Sequence, residues 1–253
     1  MAKIIAIANQ KGGVGKTTTS VNLAASLTAA EKETLLIDLD PQANASSGFG
    51  VRVGENTASV YEVLLGLIPA EKALHRFDYL QHLALLPSHI RLVGAQVELV
   101  DNPRREYCLR EAIEPIRDEF KYILIDCPPS LGLLTLNALT TADSILIPIQ
   151  CEYYALEGLG QLLTTLRLVQ KELNPELSVE GVLMTMFDKR LNLSKQVCEE
   201  ARDYFGDKVF KTIINRNVRL SEAPSFGKPI LLYDATCIGA RSYLALAKEI
   251  ING

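Results

Sequence analysis

The chain has 253 residues, of which 48% are hydrophobic, and a formal net charge of −4. A chain of this length can bury a large core, and we expect one domain over residues 1–253. Its apolar runs are shorter than the ~18–20 residues that a membrane span needs, and its start lacks the layout of a signal peptide. Its five cysteines include no C-x-x-C pair, which argues against a zinc or iron–sulfur site and for a cytoplasmic location.

Apolar runs alternate with amphipathic stretches along the chain. The apolar runs predict strands at residues 3–8, 34–39, 83–86, 122–126, 144–149, 178–186 and 208–214. The amphipathic stretches predict helices at residues 16–30, 60–65, 91–100, 107–119, 131–140, 156–173, 194–205, 218–223 and 240–251. Strands that are apolar on both faces and separated by helices indicate an α/β fold, with a mostly parallel twisted sheet covered by helices on both faces. Residues 43–56 are the most loop-like stretch.

A glycine-rich loop, QKGGVGKTT at residues 10–18, joins the first predicted strand to the first predicted helix. Backbone N–H groups and the positive end of a helix dipole converge at such a junction and bind phosphate. The pattern resembles G-x-x-x-x-G-K-[ST], except that Gln10 replaces the first glycine and a second lysine follows it. The predicted phosphate-binding residues are Lys11, Gly12, Gly13, Val14, Gly15, Lys16, Thr17 and Thr18.

Acidic residues end two of the other predicted strands. Asp38 and Asp40 lie two apart on one face of a strand that stops at Pro41. Asp126 ends a strand after three apolar residues. An aspartate at such a position is the usual partner of a phosphate loop and holds Mg²⁺, often through water. Asp38 either contacts the bound ligand directly or positions Thr17 or a metal-bound water. The Pro128–Gly132 turn either changes shape with the γ-phosphate or is a plain rigid turn.

The charge is distributed unevenly along the chain. Residues 189–228 contain nine basic and five acidic residues, a balance of +4 in an acidic protein. Such a zone is either a surface for a polyanion or a solvated rim. The three histidines, at positions 75, 82 and 89, lack neighbouring acidic or cysteine residues that would complete a metal site, and we expect them at the surface.

Four motifs occur here in one order: the glycine-rich loop, DLDPQ at 38–42, DCPPSLG at 126–132 and RNVRLSEAPSFGKP at 216–229. Together they resemble the ParA/Soj family of partition ATPases, whose phosphate loop is the deviant Walker A type, and the resemblance covers essentially the whole chain. The chain resembles the short chromosomal type, since no DNA-reading extension precedes the first strand. The family usually has proline where this chain has Asn215.

The resemblance implies an ATPase that binds ATP and Mg²⁺ and closes into a homodimer with two nucleotides at the interface. Lys11 would reach the phosphates of the partner, Lys16 would hold the phosphates, and Asp40 would orient the attacking water. Thr17 would bind Mg²⁺ directly, whereas Asp126 and Asp40 would do so through water. The resemblance implies that Met186 and Asn217 contact adenine, while Asp38 is also expected at the nucleotide.

The resemblance also implies the partners. The ATP-bound dimer would bind double-stranded DNA without sequence preference, through Arg216, Arg219 and Lys228. A ParB-like protein would stimulate hydrolysis and release the dimer from the nucleoid, where we expect the protein to lie. No membrane contact is expected.

Three other functions also use a phosphate-binding loop of this kind. A membrane-bound positioning ATPase of the MinD type needs a basic amphipathic tail, whereas residues 240–251 have the pattern of a core helix. A metabolic phosphate-loop enzyme that activates a carboxylate needs a substrate pocket, and no further polar cluster indicates one. An iron protein would need a second cysteine to match Cys127, so we expect Cys127 to be buried and inert.

Overall fold

The computed structural model describes residues 1–54, 57–152 and 157–253. Its seven strands form one sheet in the order β3-β4-β2-β5-β1-β6-β7, and every neighbouring pair is parallel except β3 with β4. The strands are β1 (Lys3–Ile7), β2 (Thr34–Asp38), β3 (His75–Phe77), β4 (Leu80–Leu86), β5 (Tyr122–Asp126), β6 (Ser144–Gln150) and β7 (Ser178–Thr185). The mostly parallel sheet is therefore confirmed.

The described helices connect these strands and cover both faces of the sheet. They are α1 (Lys16–Ala29), α2 (Asn44–Gly48), α3 (Val60–Leu64), α4 (Leu92–Glu98), α5 (Cys108–Ile113), α6 (Leu133–Thr141), α7 (Glu157–Glu172), α8 (Asn192–Phe205), α9 (Val218–Glu222), α10 (Ile230–Tyr233) and α11 (Ile238–Asn252). Within the ranges described, no helix combines the length and apolarity needed to cross a bilayer.

The two faces of the sheet build two hydrophobic cores. Successive side chains of a strand point to opposite faces, so in β1 Ile4 and Ala6 enter one core while Ile5 and Ile7 enter the other. Helices α3 to α8 pack on the first face, and α1, α10 and α11 on the second. Burial on both faces explains why the central strands read as continuous apolar runs.

Strand register places the candidate site at the carboxyl edge of the sheet. Asp126, the last residue of β5, pairs with Ile7 on one side and with Asp38 on the other. The loop after β1 and the acidic ends of β2 and β5 are therefore adjacent, as expected for ligand sites in parallel sheets.

The strand predicted at residues 208–214 is wrong. This segment begins in a 3-10 turn and meets β7 and its extension at isolated points. These are two bridges, Val182 with Val209 and Phe187 with Asn215, and a hydrogen bond from the Ile214 N–H to the Met184 carbonyl at 2.9 Å. Between them, the N–H groups of Lys211 and Thr212 donate to the carboxylate of Glu249 on α11, at 2.7 and 3.0 Å. A side chain from a distant helix thus replaces strand partners.

Two further local predictions differ from the structure, and two short elements were missed. The loop-like stretch 43–56 contains α2, and the helix predicted at 107–119 is shortened to α5 because Pro115 opens a 3-10 turn over Glu114–Glu119. The short elements β3 and α10 were not predicted. The predicted start of the helix at 156–173 lies outside the described residues, and the described part of that helix is α7.

Candidate functional site

The glycine-rich loop wraps around the point where α1 begins. Gly13 and Gly15 have φ of 74° and 89°, in the left-handed region that glycine adopts without a steric penalty. The hydroxyl of Thr185, at the end of β7, donates to the carbonyl of Val14 at 2.8 Å and ties the loop to the sheet. The N–H groups of the first turn of α1 then face open space, which suits an anion.

Asn9 holds the start of the loop. Its Oδ1 accepts from the Lys11 N–H at 3.0 Å, and its Nδ2 donates to the carbonyl of Pro148 on β6 at 2.8 Å. Sequence reasoning missed this residue. In the sequence, this residue is marked only as an amide directly after an apolar strand, where a polar side chain needs hydrogen-bond partners.

Lys16 is the cation of the loop. It is only 7% exposed, and its Nζ donates to the carbonyl of Lys11 at 3.1 Å. Burial lowers the pKa of Lys16, and the negative charge of nearby acids, Asp126 first, opposes that shift. The ammonium group therefore lies at the loop in a setting that favours an anionic ligand.

Asp126 is fully buried and accepts a hydrogen bond from the Ser20 hydroxyl at 2.7 Å. Its second oxygen, Oδ2, is buried and accepts no hydrogen bond from any described residue. Burial, reinforced by the charge of Asp38, raises the pKa of Asp126, whereas the hydroxyl groups of Ser20 and Thr17 both act to lower it. A buried carboxylate oxygen that lacks a donor and lies beside a threonine hydroxyl fits a hard cation such as Mg²⁺, or a water bound to it.

Asp38 and Asp40 have different surroundings although they are two residues apart. Asp38 is fully buried and accepts from the N–H and the hydroxyl of Ser46, both at 2.7 Å, which anchors α2 to the end of β2. Burial raises the pKa of Asp38. Asp40 accepts only a local bond from the Gln42 N–H at 3.0 Å, and it lines the cavity in front of the loop. Asp38 thus supports the site from behind, while Asp40 faces it.

Two cavities meet at the loop. The first, of ≈450 Å³, is lined by Gly12, Gly13, Gly15, Lys16, Thr17, Thr18, Asp40, Gln42, Asn44, Pro129 and Met186. The second, of ≈360 Å³, is lined by Gly15, Thr18, Thr185, Met186, Ile214, Asn215, Arg216, Asn217, Leu220, Ser221, Pro224 and Tyr243. The first contains the loop with the charged groups of Lys16 and Asp40, which suits phosphates. The second includes the side chains of Ile214, Leu220 and Pro224, which suit a base.

Met186 joins the two cavities. Its φ of 50° places a non-glycine residue in the left-handed region at the end of β7, a strained conformation of the kind that clusters at functional sites. Asn217 lines the second cavity but also caps α9, since its Oδ1 accepts from the Arg219 N–H at 2.9 Å. Asn215 sits between the two hydrogen bonds that join 214–216 to Phe187, neither of which uses its own N–H, so proline at this position would leave that pairing intact.

The three predicted DNA-binding residues are exposed, but they face different surroundings. Arg216 lines the second cavity, and Lys228 lines a groove beside α1 and α2. Arg219 donates to Glu222 at 3.0 Å and lies 3.8 Å from Asp234, which leaves its side chain 54% exposed. Lys189, which was counted only in the basic zone, lines a neighbouring pocket together with Arg216.

The cysteines follow the sequence expectation in part. Cys127 is fully buried, and burial raises the pKa of its thiol, as expected of an inert residue. Cys151 and Cys198, which looked unrelated in the sequence, have their sulfur atoms 3.8 Å apart between the end of β6 and α8. In the part of the chain that is described, no cluster of side chains could hold a metal ion by His, Cys, Asp and Glu ligands alone.

The sequence is similar to known proteins over its whole length. A family model described as an AAA domain matches residues 2–179. The chromosome partitioning protein ParA of Myxococcus xanthus is 57% identical over 100% of this chain and 89% of its own length. The sporulation initiation inhibitor protein Soj of Bacillus subtilis is 57% identical over 99% of this chain and 98% of its own length.

Solved structures share the fold over the whole chain. The cobyrinic acid a,c-diamide synthase of Mycobacterium smegmatis, solved with bound ADP and magnesium, is 37% identical with a TM-score of 0.87 and covers 100% of this chain and 95% of its own. The cell division ATPase MinD of Pyrococcus furiosus is 26% identical with a TM-score of 0.83 and covers 100% of this chain and 99% of its own. The fold alone therefore does not separate these activities.

Proposed function

Because this chain belongs to the ParA/Soj family of chromosome-partitioning ATPases, we propose that it is an ATP-dependent switch that dimerises, binds DNA in its ATP state and resets by hydrolysis. The observation that carries the proposal is that Lys16 and Thr17 line the phosphate cavity while Asp126, with its unpaired Oδ2, is buried close to both of them. A phosphate-bound divalent cation would satisfy all three groups at once.

Each residue of the site has a role in this proposal. The loop N–H groups and Lys16 bind the phosphates, and Thr17 and Asp126 hold Mg²⁺, Asp126 through water. When bound, ATP with Mg²⁺ supplies the terminal phosphoanhydride bond that water cleaves. Asp40 faces the phosphate cavity with one oxygen engaged only locally, so it can orient that water and also contact the cation through water. The base would occupy the second cavity, against Met186 and Asn217.

Lys16 already supplies the cation of its own loop, so Lys11 is available to bind the phosphates of a second copy and so to support dimerisation. The backbone of Lys11 is fixed by Asn9 and Lys16, while the residue is partly exposed. An ammonium group displayed in this way can reach the phosphates of a second copy. One lysine would then act in cis and the other in trans.

We expect Lys11→Ala to bind ATP almost as tightly as the wild type but to lose the ATP-dependent dimer. Loss of a charge-assisted bond at each of two symmetric sites should weaken association by roughly 100-fold or more. Titration calorimetry measures the first property and sedimentation velocity the second. A dimer that persists with ATP in this variant would exclude action in trans.

Binding to DNA would depend on contacts with phosphate groups, which carry no sequence information and weaken steeply with salt. Glu222 and Asp234 hold the Arg219 guanidinium at the surface, and Arg216 and Lys228 add exposed charge on either side of α9. The ATP-bound dimer would present these residues twice, which explains why the monomer would bind weakly.

We expect Arg219→Glu to abolish DNA binding while the ATP-dependent dimer remains. Arg219→Gln removes this one charge without reversing it, and it should lower the magnitude of the slope of log K against log salt by about 1. The matched control is Arg110→Glu on α5, an exposed arginine that lies on the other face of the sheet. If Arg219→Glu bound DNA as well as Arg110→Glu does in a mobility-shift assay, α9 would be excluded from the DNA surface.

The partner and the location follow from the same cycle. A ParB-like protein would accelerate hydrolysis on the DNA-bound dimer, and the ADP form would leave the nucleoid. A MinD-like function would instead require a lipid-binding surface. The carboxylate-activating alternative gains some support from the synthase named above, but that protein is 37% identical, against 57% for the ParA and Soj relatives.

Sedimentation with ATP, ADP or no nucleotide, each with and without non-specific duplex DNA, tests the proposal as a whole. We expect a dimer and DNA binding only with ATP, and loss of DNA binding as the salt concentration rises. DNA binding that is independent of nucleotide, or a monomer under every condition, would contradict the switch. Binding to anionic vesicles instead of DNA would favour the MinD-like alternative.

A further inference from the structure

Helix α4 has apolar side chains on both of its faces. Leu92, Ala95 and Leu99 are buried in the core. On the opposite side, α4 and the turns that flank it carry four exposed apolar residues, which we call the α4 stripe: Ile90 (56% exposed), Val93 (53%), Val97 (74%) and Val100 (54%). A solvated helix face usually carries polar residues at such positions, and a contiguous exposed apolar stripe marks an interaction surface.

The stripe lies beside the phosphate cavity. The side-chain oxygen of Gln96, on α4, is 3.0 Å from where a Cβ on Gly132 would stand, so α4 packs against the Pro128–Gly132 turn. At its other end, Ile90 shares a shallow pocket with Gln42. Gln42 and Pro129 both line the phosphate cavity, so the stripe is continuous with the face on which that cavity opens.

Two of the charges beside the stripe, those of Arg91 and Glu62, are paired within the chain, whereas Glu98 and Asp101 keep their negative charge at the surface. Arg91 pairs with Glu62 at 2.6 Å and stacks over the Tyr61 ring at 5.0 Å, and the Tyr61 hydroxyl donates to Glu98 at 3.0 Å. These two acids disfavour an acidic partner, and the four side chains of the stripe are themselves uncharged. A neutral apolar stripe is complementary to itself, which is what a two-fold symmetric interface requires.

We propose that the α4 stripe packs against the α4 stripe of a second copy in the ATP-bound dimer. This inference rests on the proposed function. A stable interface buries about 800 Å² on each partner and has an apolar centre with a polar rim. The phosphate cavity and Lys11 form a polar surface, so the dimer needs apolar area elsewhere on the same face, and the stripe supplies it. Through Gln96 and Gly132, the same contact would fix the Pro128–Gly132 turn when two copies meet.

Val97→Asp tests this contact, with Leu168→Asp as the matched control, since Leu168 is a similarly exposed apolar residue (60%) on α7. In sedimentation velocity with ATP, we expect Val97→Asp to raise the dimer dissociation constant at least tenfold, while ATP affinity by calorimetry and the behaviour of Leu168→Asp match the wild type. If the wild type dimerises and Val97→Asp does so equally well, the inference is wrong and the proposed function stands. If the wild type stays monomeric with ATP, both are wrong.

Cross-linking gives a second readout that does not depend on destabilising the interface. Residues near a two-fold axis meet their own copies, so Val97→Cys should be cross-linked into a dimer by a short bis-maleimide with ATP and much less with ADP. Leu168→Cys and the wild type should show only background. A wild-type dimer whose Val97→Cys form is not cross-linked would overturn the inference. So would a Val97→Asp variant that dimerises normally but no longer responds to a ParB-like partner, because it would assign the stripe to that partner.

Discussion

Lys16→Ala is expected to abolish ATP binding in titration calorimetry. The ammonium group of Lys16 is held inside the loop, 3.1 Å from the Lys11 carbonyl and only 7% exposed. Without it, the pocket keeps the carboxylates of Asp126 and Asp40 with no buried cation to balance them, so it would repel a triphosphate. Charge-assisted hydrogen bonds contribute about 1.5–3 kcal/mol each. If Lys16 contacts two phosphates as we propose, its removal should cost roughly 100-fold or more in affinity.

The control for this variant is Lys248→Ala, which removes an exposed lysine of α11. Both proteins should unfold at temperatures close to that of the wild type without nucleotide, because Lys16 contributes one side-chain hydrogen bond to the fold. Only Lys248→Ala should be stabilised by ATP, as a ligand that binds the native state alone must do. Micromolar ATP affinity in Lys16→Ala would remove the phosphate-binding role from the loop.

The central part of the fold could be predicted because local pattern and tertiary position agree there. Strands β1, β2, β5 and β6 are buried on both faces, so each is a continuous apolar run that ends where a loop begins. The glycine loop and the strand-end Asp126 likewise carry their chemistry in adjacent residues. These predictions needed no knowledge of which strands are neighbours.

The errors arose where a distant residue decides the local structure. Nothing in residues 208–214 shows that Glu249, on the last helix, would bind their N–H groups in place of a neighbouring strand. In the same way, α2 depends on Asp38 binding Ser46, eight residues away across a turn. Periodicity within a window does not detect contacts of this kind.

The supporting residues of the site were missed for a related reason. Asn9, Ser20 and Thr185 each place one hydrogen bond on the loop or on Asp126. Each is a single polar residue in an apolar or helical pattern, which is also how an ordinary capping or solvated residue looks. Only the strand register, which brings β5 and β7 to the loop, separates the two cases.

Asp126→Asn is expected to stabilise the nucleotide-free protein at neutral pH while abolishing its response to Mg²⁺ with ATP. Burial raises the pKa of both Asp126 and its register neighbour Asp38. The folded state therefore holds these protons more tightly than the unfolded chain, whose carboxyl groups titrate near ~4. Their favourable contribution to stability is complete below that range and is lost as the pH rises.

The asparagine variant removes one of the two buried charges and its repulsion of Asp38. Its unfolding free energy should therefore decline less between pH 5 and pH 8 than that of the wild type, and it should exceed the wild-type value at pH 8 by about 1 kcal/mol or more. The amide NH₂ limits this gain, since an unsatisfied buried donor costs about 1–3 kcal/mol. Denaturant unfolding at the two pH values measures both quantities, with Asp101→Asn, an exposed residue, as the control.

Addition of Mg²⁺ with ATP should reverse the order of stability. At about 100 times the dissociation constant, a ligand stabilises the native state by about 2.7 kcal/mol, and the wild type should gain on this scale while Asp126→Asn gains little. If the stability of the variant depends on pH as steeply as that of the wild type, the pKa of Asp126 is not raised in the folded protein. A variant that gains as much from Mg²⁺ with ATP would show that Asp126 does not hold the cation. The buried, unpaired oxygen of Asp126 thus leads to one prediction about stability and one about cation binding, and each can be refuted without the other.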